Sequence, residues 1–294
     1  MVNRNGLENR DLYGLVGSNP SLSAIIKFIK DNMLKNVEEL KSQYPEFPQD
    51  IPLAFPKDTT LPPEDIHFLL YIPWQESYLR FVPEEYREFY TEVLPYLSAR
   101  TTDVHTAVCI QYLNEFISKA DQPGKKVNKN ILAYALMLHD SGWSQISQEE
   151  VAASLGVTGL ALNEKAMEPK EKHAVLGAQI AKDILSGKSI QLGLVQEEIE
   201  IICKAILYHD KPTEVAGSQN EMPIEVQLLV DLDHLWSFTH LNFWQDILRK
   251  GVSPQDYLVN LENDLDQYFV TEIGKNKARK LLAERKAEVK GHSL

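Results

Sequence analysis

Apolar residues along this chain recur mainly at intervals of three and four positions, which places them on one face of an α-helix. No long stretch alternates apolar and polar residues, as a half-buried β-strand would. Proline and glycine residues separate the apolar-periodic segments and mark the loops between them. The pattern therefore predicts an all-α protein.

Helix-start and helix-end signals give the expected boundaries. A first helix is expected from Ser21 or Ser23, either of which can cap its start, towards Leu40. Another helix is expected to begin near Thr101 or Thr102. The remaining helices are expected at residues 83–97, 130–140, 148–155, 170–185, 196–209, 223–246, 254–268 and 271–288.

A proline-rich segment divides the chain unevenly. Six prolines fall within residues 44–63, and proline both lacks a backbone donor and disrupts the interior of a helix. We therefore expect an N-terminal helical extension with an irregular connector over residues 1–63. A helical domain with C-terminal helices is expected over residues 64–294, a length that can bury a large core.

The composition, 44% hydrophobic and 24% charged, is that of an ordinary globular protein. A net charge of −12 would repel a phosphate backbone, which favours small-molecule substrates and disfavours nucleic acid. The first residues lack the apolar run of a signal peptide, and no apolar stretch is long enough to span a bilayer. We therefore expect a cytoplasmic protein without a membrane partner.

Candidate chemistry appears in four histidines at comparable points of separate predicted helices. They are 34, 34 and 36 residues apart: His105, His139, His173 and His209. Such spacing lets successive antiparallel helices bring their ligand-bearing ends together. His139 is followed by Asp140 at the end of an apolar run, where an imidazole and a carboxylate can share one ion and the carboxylate can bridge to a second. In isolation, such a pair is more often a hydrogen-bonded structural pair.

Two further carboxylates, Asp231 and Asp233, lie in the strongly apolar segment 230–238. Buried carboxylates require partners. Positions i and i+2 of a helix point about 200° apart, so these two residues should not both face one metal ion. The residues alone leave open which of the two is the ligand.

With these residues the chain resembles the HD superfamily of metal-dependent hydrolases, whose pattern is a histidine, a His-Asp pair and a distant aspartate on a helical bundle. His105 matches the first histidine, and His139 with Asp140 matches the defining pair. Asp233 matches the final aspartate, because Leu-Asp-His-Leu at residues 232–235 is similar to the Ala-Asp-x-Leu that often closes the motif. The resemblance covers residues 100–245 and implies an HD-domain helical bundle.

The resemblance also implies a second ion. His173 lies in a segment similar to the one that supplies a further histidine in dinuclear members, and His209 occupies the place of the next one. The implied cofactor is a pair of divalent transition-metal ions (Fe, Mn, Co, Ni or Zn). The implied ligands are His105, His139, Asp140, His173, His209 and Asp233, with Asp231 as the alternative to Asp233. A one-ion site, with His173 and His209 as structural or substrate-binding residues, stays open.

One departure from the family concerns the residue that follows the His-Asp motif. Many phosphohydrolases of the family continue with x-Gly-Lys, whereas Ser141 and Gly142 lead here to Trp143. Lys172 or Lys211 could instead face the phosphate of a substrate, although lysines near helix ends are commonly just exposed.

The implied reaction is the hydrolysis of a small phosphoester or nucleotide by a metal-activated water, with Asp140 as the bridging catalytic ligand. A dinuclear iron oxygenase of the same fold is one alternative, and a regulatory HD protein without catalytic activity is another. Asp210, which follows His209 at the start of a polar loop, is expected to orient that histidine rather than to bind metal.

Overall fold

The computed structural model describes residues 37, 39, 41, 42, 44, 47–56, 66–120, 126–154 and 168–292. The chain divides into two compact units, Met1–Tyr44 and Pro45–Leu294. Most of the helix expected from Ser21 or Ser23 towards Leu40 lies outside the described residues, although residues 37 and 39 within it are helical. The division of the chain at residue 63 stays a prediction.

The second unit is built from helices, so the all-α prediction is confirmed for the residues described. The α-helices are α1 (Arg87–Val93), α2 (Thr102–Ile110), α3 (Leu113–Ala120), α4 (Lys129–Leu138), α5 (Gln148–Ser154), α6 (Pro169–Leu192), α7 (Gln196–Tyr208), α8 (Pro212–Gly217), α9 (Ile224–His234), α10 (His240–Lys250), α11 (Pro254–Tyr268) and α12 (Glu272–His292). Short 3₁₀ helices cover Ile66–Leu69, Glu76–Phe81, Glu84–Tyr86, Leu94–Tyr96, Ser141–Gln145 and Leu235–Phe238. The described segments contain no strand, only an isolated antiparallel bridge between Ala54 and Tyr71.

Side-chain caps explain where the central helices begin. The Asn128 side chain accepts hydrogen bonds from two backbone N–H groups in the first turn of α4. Glu168 does the same for α6, which has Pro169 in its first turn. α6 extends to Leu192, beyond the expected end at residue 185, and stops at Gly193 with a left-handed φ of 64°.

The prediction of a single helix over residues 223–246 is wrong. The chain forms α9, a short 3₁₀ turn and then α10, because Thr239 adopts an extended conformation and caps the second helix through its side chain. A helix-capping threonine within an apolar segment is easily missed when only the apolar spacing is followed. The segment between the helices expected at residues 196–209 and 223–246 also contains a short helix, α8.

Helix α4 lies at the centre of the bundle and contacts α2, α6, α7 and α9. Its residues from Ile131 to Leu138 are all buried, as the apolar run in the sequence predicts. Because each of these four neighbours carries one candidate ligand, or has one directly after it, packing around α4 gathers the ligands at the end of α4. Within the described residues, no helix is long and apolar enough to cross a membrane.

Candidate metal centre

The structure brings six predicted ligands together at the C-terminal end of α4. His139 and Asp140 directly follow α4, and the other members are His105 in α2, His173 in α6, His209 after α7 and Asp233 in α9. All six residues are buried. Buried ionisable groups carry a large desolvation cost unless they are paired or bind an ion, so this arrangement requires a compensating interaction.

One group of ligands surrounds the Oδ2 atom of Asp140. This oxygen lies 3.2 Å from Nδ1 of His105 and 3.5 Å from Nε2 of His139. Across from it, Oδ1 of Asp233 lies 3.1 Å from Nε2 of His105 and 3.2 Å from Nε2 of His139. We call these four residues the first cluster: His105, His139, Asp140 and Asp233.

A second group surrounds the other oxygen of the same carboxylate. Oδ1 of Asp140 lies 3.4 Å from Nε2 of His173 and 3.7 Å from Nε2 of His209. The two imidazole Nε2 atoms are 3.0 Å apart. Asp140, His173 and His209 form the second cluster. The two oxygens of Asp140 therefore face different histidine pairs, the arrangement expected of a carboxylate that bridges two ions.

Backbone carbonyls fix the orientation of two of the histidines. Nδ1 of His139 lies 2.7 Å from the Leu136 carbonyl oxygen, and Nδ1 of His209 lies 2.6 Å from that of Ile206. Since a carbonyl can only accept, each Nδ1 donates its proton and directs Nε2 towards the cluster. Such an outer hydrogen bond is typical of metal-binding histidines.

These donors fit a divalent metal. Nε2 of His105 is buried and makes no hydrogen bond, although it lies 3.1 Å from Oδ1 of Asp233. Nε2 of His173 and Nε2 of His209 face each other at 3.0 Å, and two imidazole lone pairs at that distance require a proton or a cation between them. Imidazole nitrogens with carboxylate oxygens are the ligands that transition metals such as zinc and iron take in proteins.

The charges of the site depend strongly on one another. Burial opposes ionisation of Asp140, but the neighbouring histidines, His139 foremost, hold the pKa of its carboxyl well below the usual value. Burial lowers the pKa of His209, yet Asp140 and Asp210 raise it to about 9. Burial and the charge of His209 keep the pKa of His173 below its usual value. One proton can therefore be shared between Nε2 of His173 and Nε2 of His209, and it resides mainly on His209.

The structure places Asp233, rather than Asp231, among the histidines. Oδ1 of Asp231 accepts a hydrogen bond of 2.6 Å from the backbone N–H of Val270, and its Oδ2 accepts one of 3.1 Å from that of Thr271. Asp231 thus holds the chain at the start of α12, on the opposite side of α9. This agrees with the opposite directions expected for positions i and i+2.

Trp143 joins the two parts of the site. Its indole Nε1 donates a hydrogen bond of 3.1 Å to Oδ1 of Asp140, and its ring stacks on that of His173 with centroids 4.2 Å apart. Gly142 allows this segment to lie against α6, because a Cβ atom there would come within 1.9 Å of the His173 carbonyl oxygen. The residues after the His-Asp pair therefore position both a ligand and the bridging carboxylate.

Asp210 has a different place from the one expected. The sequence suggested that it orients His209, but the Ile206 carbonyl has that role. Oδ2 of Asp210 instead lies 3.7 Å from Nε2 of His173 and 4.0 Å from Nε2 of His209. It is a further carboxylate on the ligand side of the second cluster, with 28% of its side chain exposed.

A cavity of about 330 Å³ opens onto both clusters, a size that suits a small molecule. Four cationic side chains line it: Arg100, Lys170, Arg249 and Lys250. Neither lysine proposed from the sequence is among the lining residues. Lys172 pairs with Glu150 at 2.7 Å, and Lys211 lies 3.9 Å from Glu214.

A second cavity, of about 360 Å³, lies beside the first. Its wall is largely apolar and includes Phe68, Leu69 and Val151. Arg100, Trp143 and Arg249 border both cavities, so these three side chains lie where the two spaces adjoin.

The HD domain family model matches residues 104–236, a range that contains all six residues of the two clusters. The resemblance drawn from the sequence is thereby confirmed. No curated protein and no solved structure matches the chain.

Proposed function

Because residues 104–236 belong to the HD domain family, we propose that this protein is a metal-dependent phosphohydrolase that acts on a small phosphoester or nucleotide. The observation that carries the proposal is the position of Asp140. Each of its two oxygens faces a different histidine pair beside a cavity lined by four cations. That combination suits a substrate that carries negative charge.

The two clusters define how metal would be held. His105, His139 and Asp233 would hold one divalent ion, and His173 and His209 the other, with Asp140 shared between them. Asp210 would offer a further carboxylate to the second ion. Bound divalent ions supply an activated water and neutralise charge on the phosphoryl oxygens.

The chain's own residues bind and orient the substrate. Positive side chains along the cavity attract a phosphoester and offset its charge despite the net negative charge of the whole protein. Trp236, whose ring stacks on that of His105 with centroids 5.2 Å apart, lines the cavity beside the first cluster. A wall of this kind limits the water that reaches the ligands.

The proposal is tested by metal analysis together with phosphoester hydrolysis. We expect up to two ions per chain and, with Mn, Fe, Co, Ni or Zn present, hydrolysis of at least one member of a broad phosphoester panel. Asp140→Asn should lower both metal content and hydrolysis. Asp183→Asn, an exposed aspartate of α6, should change neither. Full metal loading without hydrolysis of any phosphoester would contradict the proposal and favour a regulatory role.

A second candidate function is a dinuclear iron oxygenase. The observation that favours it is Trp143, a buried aromatic residue where many family phosphohydrolases carry lysine. An oxygenase would consume oxygen in a substrate-dependent manner with iron bound, whereas a phosphohydrolase would release phosphate under anaerobic conditions. Measurement of both quantities on the same iron-loaded sample separates the two activities.

A further inference from the structure

Arg100 lies in a strained turn directly before α2. Its φ is 55° and that of Thr101 is 68°, so two consecutive residues with side chains adopt the left-handed conformation that favours glycine. The Thr101 hydroxyl accepts hydrogen bonds from the backbone of Ile72 and from the side chain of Gln245, which hold the turn in place. Strain of this kind persists where the surrounding structure enforces it, often at functional sites.

The turn places the Arg100 guanidinium at the cavity. Its Cζ atom lies 4.0 Å from the centre of the Trp143 ring, a cation–π contact. Trp143 in turn donates its hydrogen bond to Asp140. Arg100 is thus connected through one side chain to the carboxylate shared by the two clusters, and it borders the space in which a substrate would lie.

Arg100 differs from the other cations of the cavity in having a buried donor without an acceptor. Arg249 and Lys250 both pair with the carboxylate of Asp246. Lys170 is exposed to solvent. Arg100 has no hydrogen bond or ion pair with any residue that the structure describes, and its Nε is buried without a partner.

A guanidinium in that position is costly without an anion. Burial and the charge of Arg249 lower the pKa of Arg100, while the carboxylates of Asp140, Asp210 and Asp246 only partly offset these effects. An unpaired buried N–H loses its hydration without replacement. Strained backbone dihedrals and a guanidinium without an acceptor thus occur in the same residue, whose side chain faces the cavity.

We propose that Arg100 binds the anionic group of the substrate, through the planar pair of N–H donors that its guanidinium offers to a phosphoryl group. The inference rests on the proposed phosphohydrolase function and names a specificity-determining residue for it. Trp143 holds the guanidinium by its ring face. The residue at position 143 is uncharged, but its ring holds the cationic guanidinium of Arg100 at the cavity.

The test measures the affinity of the metal-loaded protein for inorganic phosphate by calorimetry, with metal content and melting temperature determined on the same samples. Arg100→Asn removes the charge but suits the left-handed backbone, and Arg100→Lys keeps the charge without the planar fork. Arg80→Asn is the matched control, since Arg80 also lies over an aromatic ring, that of Phe81, but outside the cavity.

We expect Arg100→Asn to weaken phosphate binding by roughly tenfold or more and Arg100→Lys by a smaller factor, as for a lost charge-assisted hydrogen bond. Metal content should stay constant. The melting temperature of Arg100→Asn should stay equal or rise, because asparagine relieves the strained turn, an effect that a merely structural arginine would not give. Arg80→Asn should bind phosphate as the wild type does.

Three outcomes would overturn the inference. If the wild type binds phosphate and Arg100→Asn binds it equally well, Arg100 is not the anion ligand, although the proposed function stands. If Arg100→Asn loses metal or melts earlier than Arg80→Asn, the side chain has a structural role. If the metal-loaded wild type binds no phosphate, the proposed function itself is contradicted and the inference falls with it.

Discussion

The two clusters around Asp140 share one carboxylate but differ in how many buried carboxylates surround their histidines. In the first, His105 and His139 lie between two buried carboxylates, with all donor–acceptor distances from 3.1 to 3.5 Å. In the second, two histidines share one oxygen of Asp140 at 3.4 and 3.7 Å, and the added carboxylate of Asp210 is partly exposed. Under the proposed function, the first cluster, with two buried carboxylates, would hold its ion more tightly than the second cluster would.

The largest expected effect separates the two outer carboxylates. Asp233→Asn should remove the ion of the first cluster and lower phosphoester hydrolysis by roughly a thousandfold or more, since it would delete a buried ligand of the proposed dinuclear site. Asp210→Asn should lower hydrolysis by only about tenfold and weaken the second ion alone. Metal content and hydrolysis rate, measured on both variants, check the contrast. Equal losses in the two variants would remove the distinction between the clusters.

The next effect concerns the contact that brings the second cluster to the first. Gly142→Ala would place a Cβ atom 1.9 Å from the His173 carbonyl oxygen and 2.6 Å from the Gly177 nitrogen, which are backbone atoms that cannot rotate away. We expect the free energy of unfolding to fall by about 3 kcal/mol or more, at or above the upper end of the overpacking range. Urea denaturation of the metal-free protein measures it.

The matched control for that substitution is Gly187→Ala in α6, where an added Cβ meets no atom within 4 Å. It should stabilise the protein by about 0.5–1 kcal/mol, because alanine is the better helix former. If Gly142→Ala were as stable as Gly187→Ala, the close approach between the motif and α6 would not exist in solution.

A smaller effect is expected at Trp143. Trp143→Phe keeps an aromatic ring against His173 but deletes the hydrogen bond to Oδ1 of Asp140, the oxygen that faces the second cluster. Metal affinity should fall by about 10- to 100-fold, the range for a lost partner of a metal ligand, and more at the second cluster than at the first. Competition with a chelator measures both affinities. Trp74→Phe, outside the cavity, is the control, and an equal loss in it would contradict this role of Trp143.

The sequence anticipates the members of both clusters better than it anticipates the wall of the cavity. A histidine, a His-Asp pair and an aspartate on apolar helices form a local pattern that can be recognised residue by residue. Helical geometry anticipates that only one of Asp231 and Asp233 joins it. These residues can be predicted from the sequence because each lies in a regular helix or directly after one.

The cationic wall of the cavity is much harder to predict. Arg100 and Arg249 are far apart in the sequence, and only the break at Thr239 and the turn before α2 bring both to the cavity. Lys170 could have been found, since it precedes His173 by three positions and so shares its helix face, whereas Lys172 points elsewhere. Long-range packing and backbone strain leave no comparable periodic signal.

A dependence of stability on pH is also expected, and it concerns the second cluster. In the metal-free protein the pKa of His209 is raised to about 9, above the value near 6.5 of an unfolded histidine. The raised pKa therefore contributes stability that is fully present below about pH 6.5 and is lost as the pH rises through about 9. The melting temperature of the metal-free protein should fall between pH 7 and 9.5, and His209→Gln should reduce that fall. Bound metal should also reduce the fall in melting temperature, because the ion replaces the proton held between His173 and His209. If the melting temperature of His209→Gln fell with pH as steeply as that of the wild type, the proton would reside elsewhere.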